Sequence, residues 1–144
     1  MKVSDILRSK GADVATIGSS ATLAEAAQVL SVRKIGALVV SDDGATIAGI
    51  VSERDIVGQL AEQGATALDT QVHVAMTSEV HTCGCDDHIE DLMRRMTDHR
   101  IRHLPVTDDG ALVGVVSIGD VVKRRVGELE TVTNQLTDYI QTGR

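Results

Sequence analysis

The chain has 144 residues, of which 42% are hydrophobic, so it is long enough for one compact domain with a sizeable core. Its net charge of −7 repels polyanions, and the absence of Trp and Phe removes the stacking surfaces on which single-stranded nucleic acids bind. We therefore expect no nucleic-acid partner. No apolar run approaches the length of a membrane span, so we expect no membrane partner either.

The cysteine usage bears on the cellular compartment. Cys83 and Cys85 are the two cysteines of the chain, and they lie too close together to tie distant segments with a disulfide. The first residues show no apolar leader pattern, and free thiols are typical of a reducing compartment. We therefore predict a cytoplasmic location.

The first half of the chain predicts the element order β-α-β-β-α. A short extended piece precedes a segment with one apolar helical face, and a β-rich run at 35–40 follows. Asp43-Gly44 marks the turn into a second β-rich run at 47–51. Ser52 and Asp55 then signal a second helix, because both side chains can bond free N–H groups of its first turn.

The same order recurs in the second half of the chain. Residues 35–44 align with 101–110 at an offset of 66, and both segments end in Asp-Asp-Gly. One residue is missing from the second hairpin, after which 49–55 aligns with 114–120. The stretch 58–71 predicts a connector between the copies. Units this short bury little surface alone, so we expect two copies that share a core and form clefts between them.

The repeat sets the predicted domain boundaries. We assign 1–66 to the first repeat, 72–127 to the second and 128–144 to a C-terminal extension. From Val122 onward, apolar residues recur every three or four positions, which predicts one long amphipathic helix ending near Gly143. This helix either folds back on its own module or contacts a second copy. We favour the second interpretation, which predicts a homodimer.

The motifs Ser52–Asp55 and Ser117–Asp120 allow two interpretations. A capping box is an ordinary way to begin a helix. Alternatively, the helix N-terminus and the Ser form a polar niche, and the Asp offers two acceptor oxygens to a ribose diol. Arg54 favours the second interpretation in the first copy, because a cation in the first turn opposes the helix dipole unless an anion binds there. The second copy has Gly119 at the corresponding position.

The segment 99–105 carries the densest positive charge of this acidic chain. Its arginines either lie on a solvated strand edge or contact phosphate, for which the guanidinium group is well suited. Thr16 and Thr82 recur in register in the two copies. They either reflect β propensity or hydrogen-bond the edge of a base.

Two further functions stay open. His81, Cys83 and Cys85 would share one face of a strand, with His88 nearby, and such a group could form a zinc or copper(I) site in a metal- or redox-responsive protein. The competing interpretation is an extended loop that leads into a helix. The other alternative is a nucleotide-hydrolysing enzyme. Because the sequence contains no Walker loop, nucleophile elbow or metal-carboxylate set, we expect a protein without catalytic residues.

Two β-α-β-β-α copies, each with Gly-hydrophobic-hydrophobic-Ser-x-x-Asp at its third strand and last helix, resemble a tandem pair of CBS domains, or Bateman module, over about residues 3–125. The resemblance implies an α+β fold with pseudo-two-fold symmetry. It also implies a non-catalytic sensor that binds an adenosine compound between the repeats: AMP, ADP, ATP, NAD or S-adenosylmethionine. No effector domain is evident, so the resemblance implies a stand-alone module that acts on an unknown effector protein.

The resemblance also implies roles for individual residues. Asp55 and Asp120 would hold ribose hydroxyls, the two motif serines would border ribose or phosphate, and the threonines would contact adenine. Residues of the two middle strands would enclose the base, and basic side chains would meet phosphate. Since the copies differ at these positions, we expect non-equivalent clefts. The implied ligand-binding residues are Thr16, Ile35, Gly36, Ala37, Val39, Ser52, Arg54, Asp55, Thr82, Ile101, Arg102, His103, Pro105, Ser117 and Asp120.

Overall fold

A computed structural model describes residues 1–11 and 13–142, which form six α-helices, a 3-10 helix (Gly64–Asp69) and two sheets. The predicted helix end near Gly143 lies outside the described residues. The elements in chain order are α1 (Val3–Lys10), β1 (Thr16–Ile17), α2 (Leu23–Arg33), β2 (Ala37–Val40), β3 (Gly49–Ser52), α3 (Glu53–Gln63), α4 (Val72–Ala75), β4 (Cys83–Gly84), α5 (Ile89–His99), β5 (His103–Asp108), β6 (Ala111–Ser117) and α6 (Ile118–Thr142).

Each repeat builds one three-stranded sheet, in the order β1-β2-β3 or β4-β5-β6. The first strand runs parallel to the middle strand, and the middle and last strands form an antiparallel hairpin. A helix, α2 or α5, connects the parallel strands, and α3 or α6 follows the hairpin. The predicted α+β fold and the order β-α-β-β-α are therefore confirmed in both copies.

The connecting helices α2 and α5 begin and end at residues that local sequence signals identify. Thr22 begins α2 with a capping box: its Oγ1 accepts a hydrogen bond from the Glu25 N–H at 3.2 Å, and Glu25 Oε2 accepts one from the Thr22 N–H at 3.3 Å. Lys34 ends α2 with φ 56°, and Arg100 ends α5 with φ 54°. This left-handed conformation costs a non-glycine residue about 1 kcal/mol, yet both copies place a basic residue there.

The buried apolar side chains form two clusters, one on each sheet. Leu23 and Leu38 are fully buried in the first cluster, and Leu92 and Leu104 are fully buried in the second. Each sheet is covered by helices on its own apolar face, and the described residues do not merge into a single cluster. The prediction that the copies share one core is therefore wrong.

The repeats are instead joined by exchanged N-terminal helices. Val3 and Ile6 of α1 are buried with residues of the second repeat, whereas Val72 of α4 is buried with residues of the first. The backbone bonds of the two helices correspond. The Val3 N–H donates to the Asp87 carbonyl at 2.9 Å, and the Val72 N–H donates to the Ala21 carbonyl at 2.7 Å. Each core therefore requires a segment from the other half of the chain.

Gly49 and Gly114, which recur in register, provide the space for these exchanged helices. A Cβ on Gly49 would lie 2.6 Å from Met76 Sδ and 2.8 Å from the Thr77 carbonyl oxygen. A Cβ on Gly114 would lie 2.6 Å from Leu7 Cδ2. Gly49 is therefore constrained by the backbone of the segment that follows α4, whereas at Gly114 only the Leu7 side chain would have to move.

The connector is more helical than its pattern indicates, and the predicted C-terminal helix is confirmed. The stretch 58–71 contains the end of α3 and the 3-10 helix, in which Ala67 is fully buried. The C-terminal helix α6 is continuous over 25 residues, so the last helix of the second repeat and the extension are one element. Val121 anchors its start in the core, whereas every side chain from 129 to 141 is exposed. Among the described residues, no helix is both long and apolar enough to span a bilayer.

Replacing Gly49 by Ala should destabilise the fold by about 1–3 kcal/mol, because the new methyl group overlaps the Thr77 backbone carbonyl as well as Met76. The matched control is Gly58→Ala in α3. A Cβ there meets nothing within 4 Å, and alanine is favoured in a helix by about 1 kcal/mol. Urea unfolding measures both effects. A Gly49→Ala protein as stable as the parent would contradict the close approach of the exchanged segment.

Candidate functional site

Two clefts open between the repeats. Each cleft combines the Ser-x-x-Asp pair of one repeat with the residues that lead into the middle strand of the other. Cleft one has a volume of about 260 Å³ and cleft two about 510 Å³. Their defining residues are Ser52, Asp55, Ile101 and His103 for cleft one, and Ser117, Asp120, Ile35 and Ala37 for cleft two.

The structure gathers most of the predicted site residues into these clefts. Val39 and Pro105 are exceptions, because both are buried within the middle strands β2 and β5 and line neither cleft. The predicted residues that do line a cleft are Ile35, Gly36, Ala37, Ser52, Arg54, Asp55, Ile101, Arg102, His103, Ser117 and Asp120.

The threonines also lie away from the clefts. Thr16 begins β1, and the Thr82 carbonyl accepts a hydrogen bond from the Arg95 guanidinium. The residues one position earlier, Ala15 and His81, line the clefts instead. Val14 and Ala15 line cleft two and Val80 and His81 line cleft one, so the cleft lining ends one residue before each threonine.

Both Ser-x-x-Asp motifs form capping boxes. In cleft one, the Ser52 N–H donates to Asp55 Oδ2 at 2.9 Å, and the Asp55 N–H donates to Ser52 Oγ at 3.2 Å. In cleft two, the Ser117 N–H donates to Asp120 Oδ2 at 2.9 Å, and the Asp120 N–H donates to Ser117 Oγ at 3.1 Å. Each cap uses only one carboxylate oxygen, so capping does not exhaust the acceptor capacity of either Asp.

Lys10, the last residue of α1, reaches into cleft two. Its Nζ donates to Asp120 Oδ2 at 2.7 Å and to the Val115 carbonyl at 2.8 Å. Burial raises the pKa of Asp120, but the hydrogen bonds from Lys10 and Ser117 outweigh it and hold that pKa below its ordinary value. Nothing in the repeat alignment pointed to Lys10, because α1 lies outside the aligned segments and is brought here by the helix exchange.

Cleft one has a different charge arrangement. Arg54, Arg100 and Arg102 line it together with the acidic Glu53 and Glu79. In the described part of the chain, none of the three arginines forms an ion pair. Their guanidinium groups can therefore bind an anion without first breaking an ion pair.

The backbone conformation at the helix ends supports a role for basic residues in both clefts. Arg100 in cleft one and Lys34 in cleft two occupy equivalent positions, and both hold the left-handed conformation described above. Uncommon backbone conformations of non-glycine residues concentrate at functional sites. Lys34 and Arg100 are both basic and lie 66 positions apart, at the repeat offset. This match was the sequence signal that could have added the two residues to the predicted site.

His103 lines both clefts and forms part of the wall between them. It lies against Gly36, where an added Cβ would be 3.1 Å from His103 Cε1. Burial lowers the pKa of His103, and Lys10 lowers it further, whereas Glu53 and Asp120 act in the opposite direction. The lowered pKa favours the neutral imidazole, which can offer an uncharged contact to either cleft.

The structure does not assemble a metal site from the cysteine segment. Cys83 is buried in the second core, and burial raises the pKa of its thiol to about 12. The His81 ring instead stacks on His99, with ring centroids 4.1 Å apart. Within the described residues, no group of three or more His, Cys, Asp or Glu side chains is arranged to hold a metal ion.

The family of the chain is defined by two matched segments. The sequence pattern of the CBS domain matches residues 3–62 and again residues 71–127. The chain therefore belongs to the CBS-domain family and contains two copies of the domain. CBS domains are generally regulatory, non-catalytic modules.

Known proteins resemble the chain over most of its length. The mitochondrial CBS domain-containing protein CBSX3 of Arabidopsis thaliana is 37% identical, covering 98% of this chain and 72% of its own. The crystal structure of ATU1752 from Agrobacterium tumefaciens is 48% identical with a TM-score of 0.84, covering 87% and 99% of the two chains. The CBS domain pair of MJ0100 was solved with 5′-methylthioadenosine and S-adenosylmethionine. It is 27% identical with a TM-score of 0.79, covering 89% and 98%.

Replacing Lys10 by Met should raise the pKa of Asp120, because the change removes the cation that counters burial of the carboxylate. The measurement is an NMR titration of the Asp120 side chain. Lys34→Met, which alters the same cleft without removing a bond to Asp120, is the matched control.

The same pair has a defined effect on stability. The pKa of Asp120 is lower in the folded state than in the unfolded state, where it is about 3.9. The carboxylate therefore stabilises the fold at pH values above the unfolded-state pKa, and this stabilisation is lost as the pH falls through the folded-state pKa. Lys10→Met should therefore be less stable than the parent near neutral pH and converge with it in acid. A stability difference independent of pH would contradict the ion pair.

Proposed function

We propose that the protein is a non-catalytic sensor that binds an adenine nucleotide (AMP, ADP or ATP) or NAD in the clefts between its CBS repeats. The observation that carries the proposal is the composition of each cleft, in which a carboxylate at a helix start faces aliphatic residues of the other repeat. The adenosine compounds bound by the MJ0100 pair support this ligand class. Which adenosine compound binds is the finer part of the proposal.

The ribose is assigned to the motif carboxylates. Asp55 lines cleft one, and its capping bonds from Ser52 both involve Oδ2. The other oxygen can accept a hydrogen bond from a vicinal diol. The positive end of the α3 dipole lies at the same place and favours a bound anion next to the ribose.

The base is assigned to aliphatic surface. Ile50, Val80 and Ile101 line cleft one. The single aromatic residue of the Phe, Trp or Tyr type, Tyr139, lies on α6 away from both clefts. Adenine would therefore be enclosed by aliphatic side chains and backbone, which exclude water from its faces without ring stacking.

The phosphates distinguish the two clefts. Each cleft is lined by three cations, but among the described residues Arg54, Arg100 and Arg102 of cleft one form no ion pair, whereas Lys10 and Arg33 of cleft two are paired with aspartates. We therefore assign the more highly charged ligand to cleft one. In cleft two, Lys10 already forms an ion pair with Asp120. A ligand phosphate near Lys10 could replace Asp120 as the partner of the ammonium group, which would leave the Asp120 carboxylate able to bind the ribose. A neutral nucleoside would have to break the ion pair without providing a new partner for Lys10.

The signal requires two arrangements that bind the ligand unequally. Lys10 ends α1, and α1 is anchored in the second core, so occupancy of cleft two acts directly on an exchanged helix. We propose that the resulting change is recognised by a separate effector protein, and that the sensor is a homodimer. The two cysteines remain free thiols, which supports a reducing compartment such as the cytoplasm.

Asp55→Asn and Asp120→Asn should each weaken binding in one cleft by about tenfold or more, because a hydrogen bond to a charged group contributes about 1.5–3 kcal/mol. Calorimetry with AMP, ADP, ATP, NAD and S-adenosylmethionine measures the affinities, and Glu62→Gln on α3 is the control outside both clefts. No binding of any of these ligands at millimolar concentration would refute the sensor. Unchanged affinity in both variants would leave the motifs as helix caps only.

Arg102→Gln should weaken ATP binding to cleft one by about tenfold while leaving adenosine binding nearly unchanged, because the guanidinium contacts phosphate and not the nucleoside. The control is Arg94→Gln, an exposed arginine on α5. Calorimetry at two salt concentrations gives the measurement. Equal loss for ATP and adenosine would place Arg102 at the nucleoside instead. Turnover of ATP by the purified protein, abolished by Asp120→Ala, would replace the sensor with an enzyme.

A further inference from the structure

The C-terminal helix exposes an apolar stripe that no other part of the described chain covers. The stripe recurs at spacings of three or four residues on α6, and the exposed fractions of its side chains lie between 47% and 77%. At about 1.5 Å per residue it extends for nearly 30 Å. A continuous apolar patch of this length is typical of an interaction surface. The stripe consists of Val122, Val126, Leu129, Val132, Leu136, Tyr139 and Ile140.

We propose that the stripe binds the same stripe of a second copy, with the two α6 helices antiparallel and related by a two-fold axis near residue 131. This inference rests on the homodimer proposed above and gives it a surface and a direction. Fold-back onto the same module, the competing interpretation of the extension, is excluded because α6 continues without a break from Ile118 to Thr142.

The order of the apolar residues is symmetric about the proposed axis. Val122 and Ile140 lie equally far on either side of residue 131, and so do Val126 and Leu136. Antiparallel pairing about this point therefore opposes apolar residues at both ends, and each contact occurs twice, as an isologous interface requires. Leu129 and its partner copy lie close to the centre of the interface.

The charges of α6 select the antiparallel direction. Residues 123–125 are all basic, whereas the segment 128–138 contains three acidic residues and no basic one. Parallel pairing in register would bring the basic segment against its own copy. Antiparallel pairing about residue 131 instead places residues 123–125 opposite residues 137–139, which include Asp138 and no basic residue, so it avoids this repulsion and favours the antiparallel direction.

The location of the globular part agrees with this direction. The start of α6 is fixed to the module through the buried Val121, and every side chain from residue 129 to 141 is exposed. In the antiparallel pair, the exposed half of each helix covers Val122 and Val126 at the root of the other. Parallel pairing would instead bring two modules together at the same end and leave both exposed halves joined only to each other.

A second copy also fits the stripe better than a membrane surface. Helices that lie on membranes carry Lys and Arg along their polar face. After Arg125, the described part of α6 contains acidic residues and uncharged polar residues but no Lys or Arg. An anionic lipid surface would therefore be repelled along most of the stripe.

The first experiment measures the mass of the full chain by analytical ultracentrifugation. We expect a dimer of the 15.3 kDa chain, and Leu129→Glu should raise its dissociation constant by at least about a hundredfold, because each dimer would bury two unpaired carboxylates. Asn134→Glu, on the opposite side of α6, is the matched control, and circular dichroism checks that both variants remain folded. A monomeric parent, or an unchanged Leu129→Glu dimer, would overturn the proposal.

The second experiment tests direction. Val126→Cys and Leu136→Cys chains of different tag length are mixed and treated with a short bis-maleimide. Antiparallel pairing predicts cross-links between the two variants, whereas parallel pairing predicts Val126→Cys chains linked to each other. The parent chain measures the background from Cys83 and Cys85, which should be low because burial raises the pKa of both thiols.

A third variant separates this surface from others and from ligand binding. Val57 on α3 is another exposed apolar residue, with 62% of its surface accessible. Dissociation by Val57→Glu and not by Leu129→Glu would place the interface on α3 and refute the proposal. Nucleotide affinity of Leu129→Glu, measured by calorimetry, should stay within about twofold of the parent, so failure of the dimer and failure of the sensor are distinguishable.

Discussion

The exchange of α1 and α4 between the repeats is the constraint on which both clefts depend. Each sheet completes its core with a helix from the other half of the chain, with Val3 in one case and Val72 in the other. Because neither core can form without the other repeat, the helix starts of one repeat are held opposite the strand entries of the other. Gly49 and Gly114 leave space for the exchanged segments, since a Cβ would meet the Thr77 backbone at Gly49 and the Leu7 side chain at Gly114. The repeated glycine thus has a packing role in the exchange that holds the clefts together.

The duplication gives two clefts with the same arrangement of elements. Residues that differ between the two repeats make the clefts chemically different. In cleft two the ribose-type carboxylate, Asp120, is bonded to Lys10 from the exchanged helix. In the described part of the chain, Asp55 of cleft one has no such cation, and the three arginines that line the same cleft form no ion pair. The two clefts therefore differ in charge arrangement, and among the described residues α1 contributes a side chain to the carboxylate of cleft two. His103 and Ala37, each the first residue of a middle strand, both contribute to the walls of the two clefts.

Local patterns predicted the elements that the chain forms with its own neighbours. The apolar faces of α2 and α5, the two hairpins and the capping boxes depend on residues within about ten positions, so periodicity and turn residues reveal them. The short helices α1 and α4 were missed, because their few apolar contacts are made with the distant repeat. Thr16 and Thr82 recur in register yet line neither cleft, since the cleft lining ends one residue earlier in each copy, at Ala15 and His81.

The sequence by itself determined the duplication, the order of elements in each copy, the aliphatic character of the core and the apolar stripe of α6. These properties follow from composition and spacing along the chain. Only the tertiary structure decided which segment completes which core, and therefore that Lys10 meets Asp120. The physical reason is that helix exchange is a choice between two equivalent apolar surfaces. Local propensity does not distinguish them, because both repeats present the same motif glycine, Gly49 or Gly114, and the outcome depends on long-range contacts of each helix with the distant repeat.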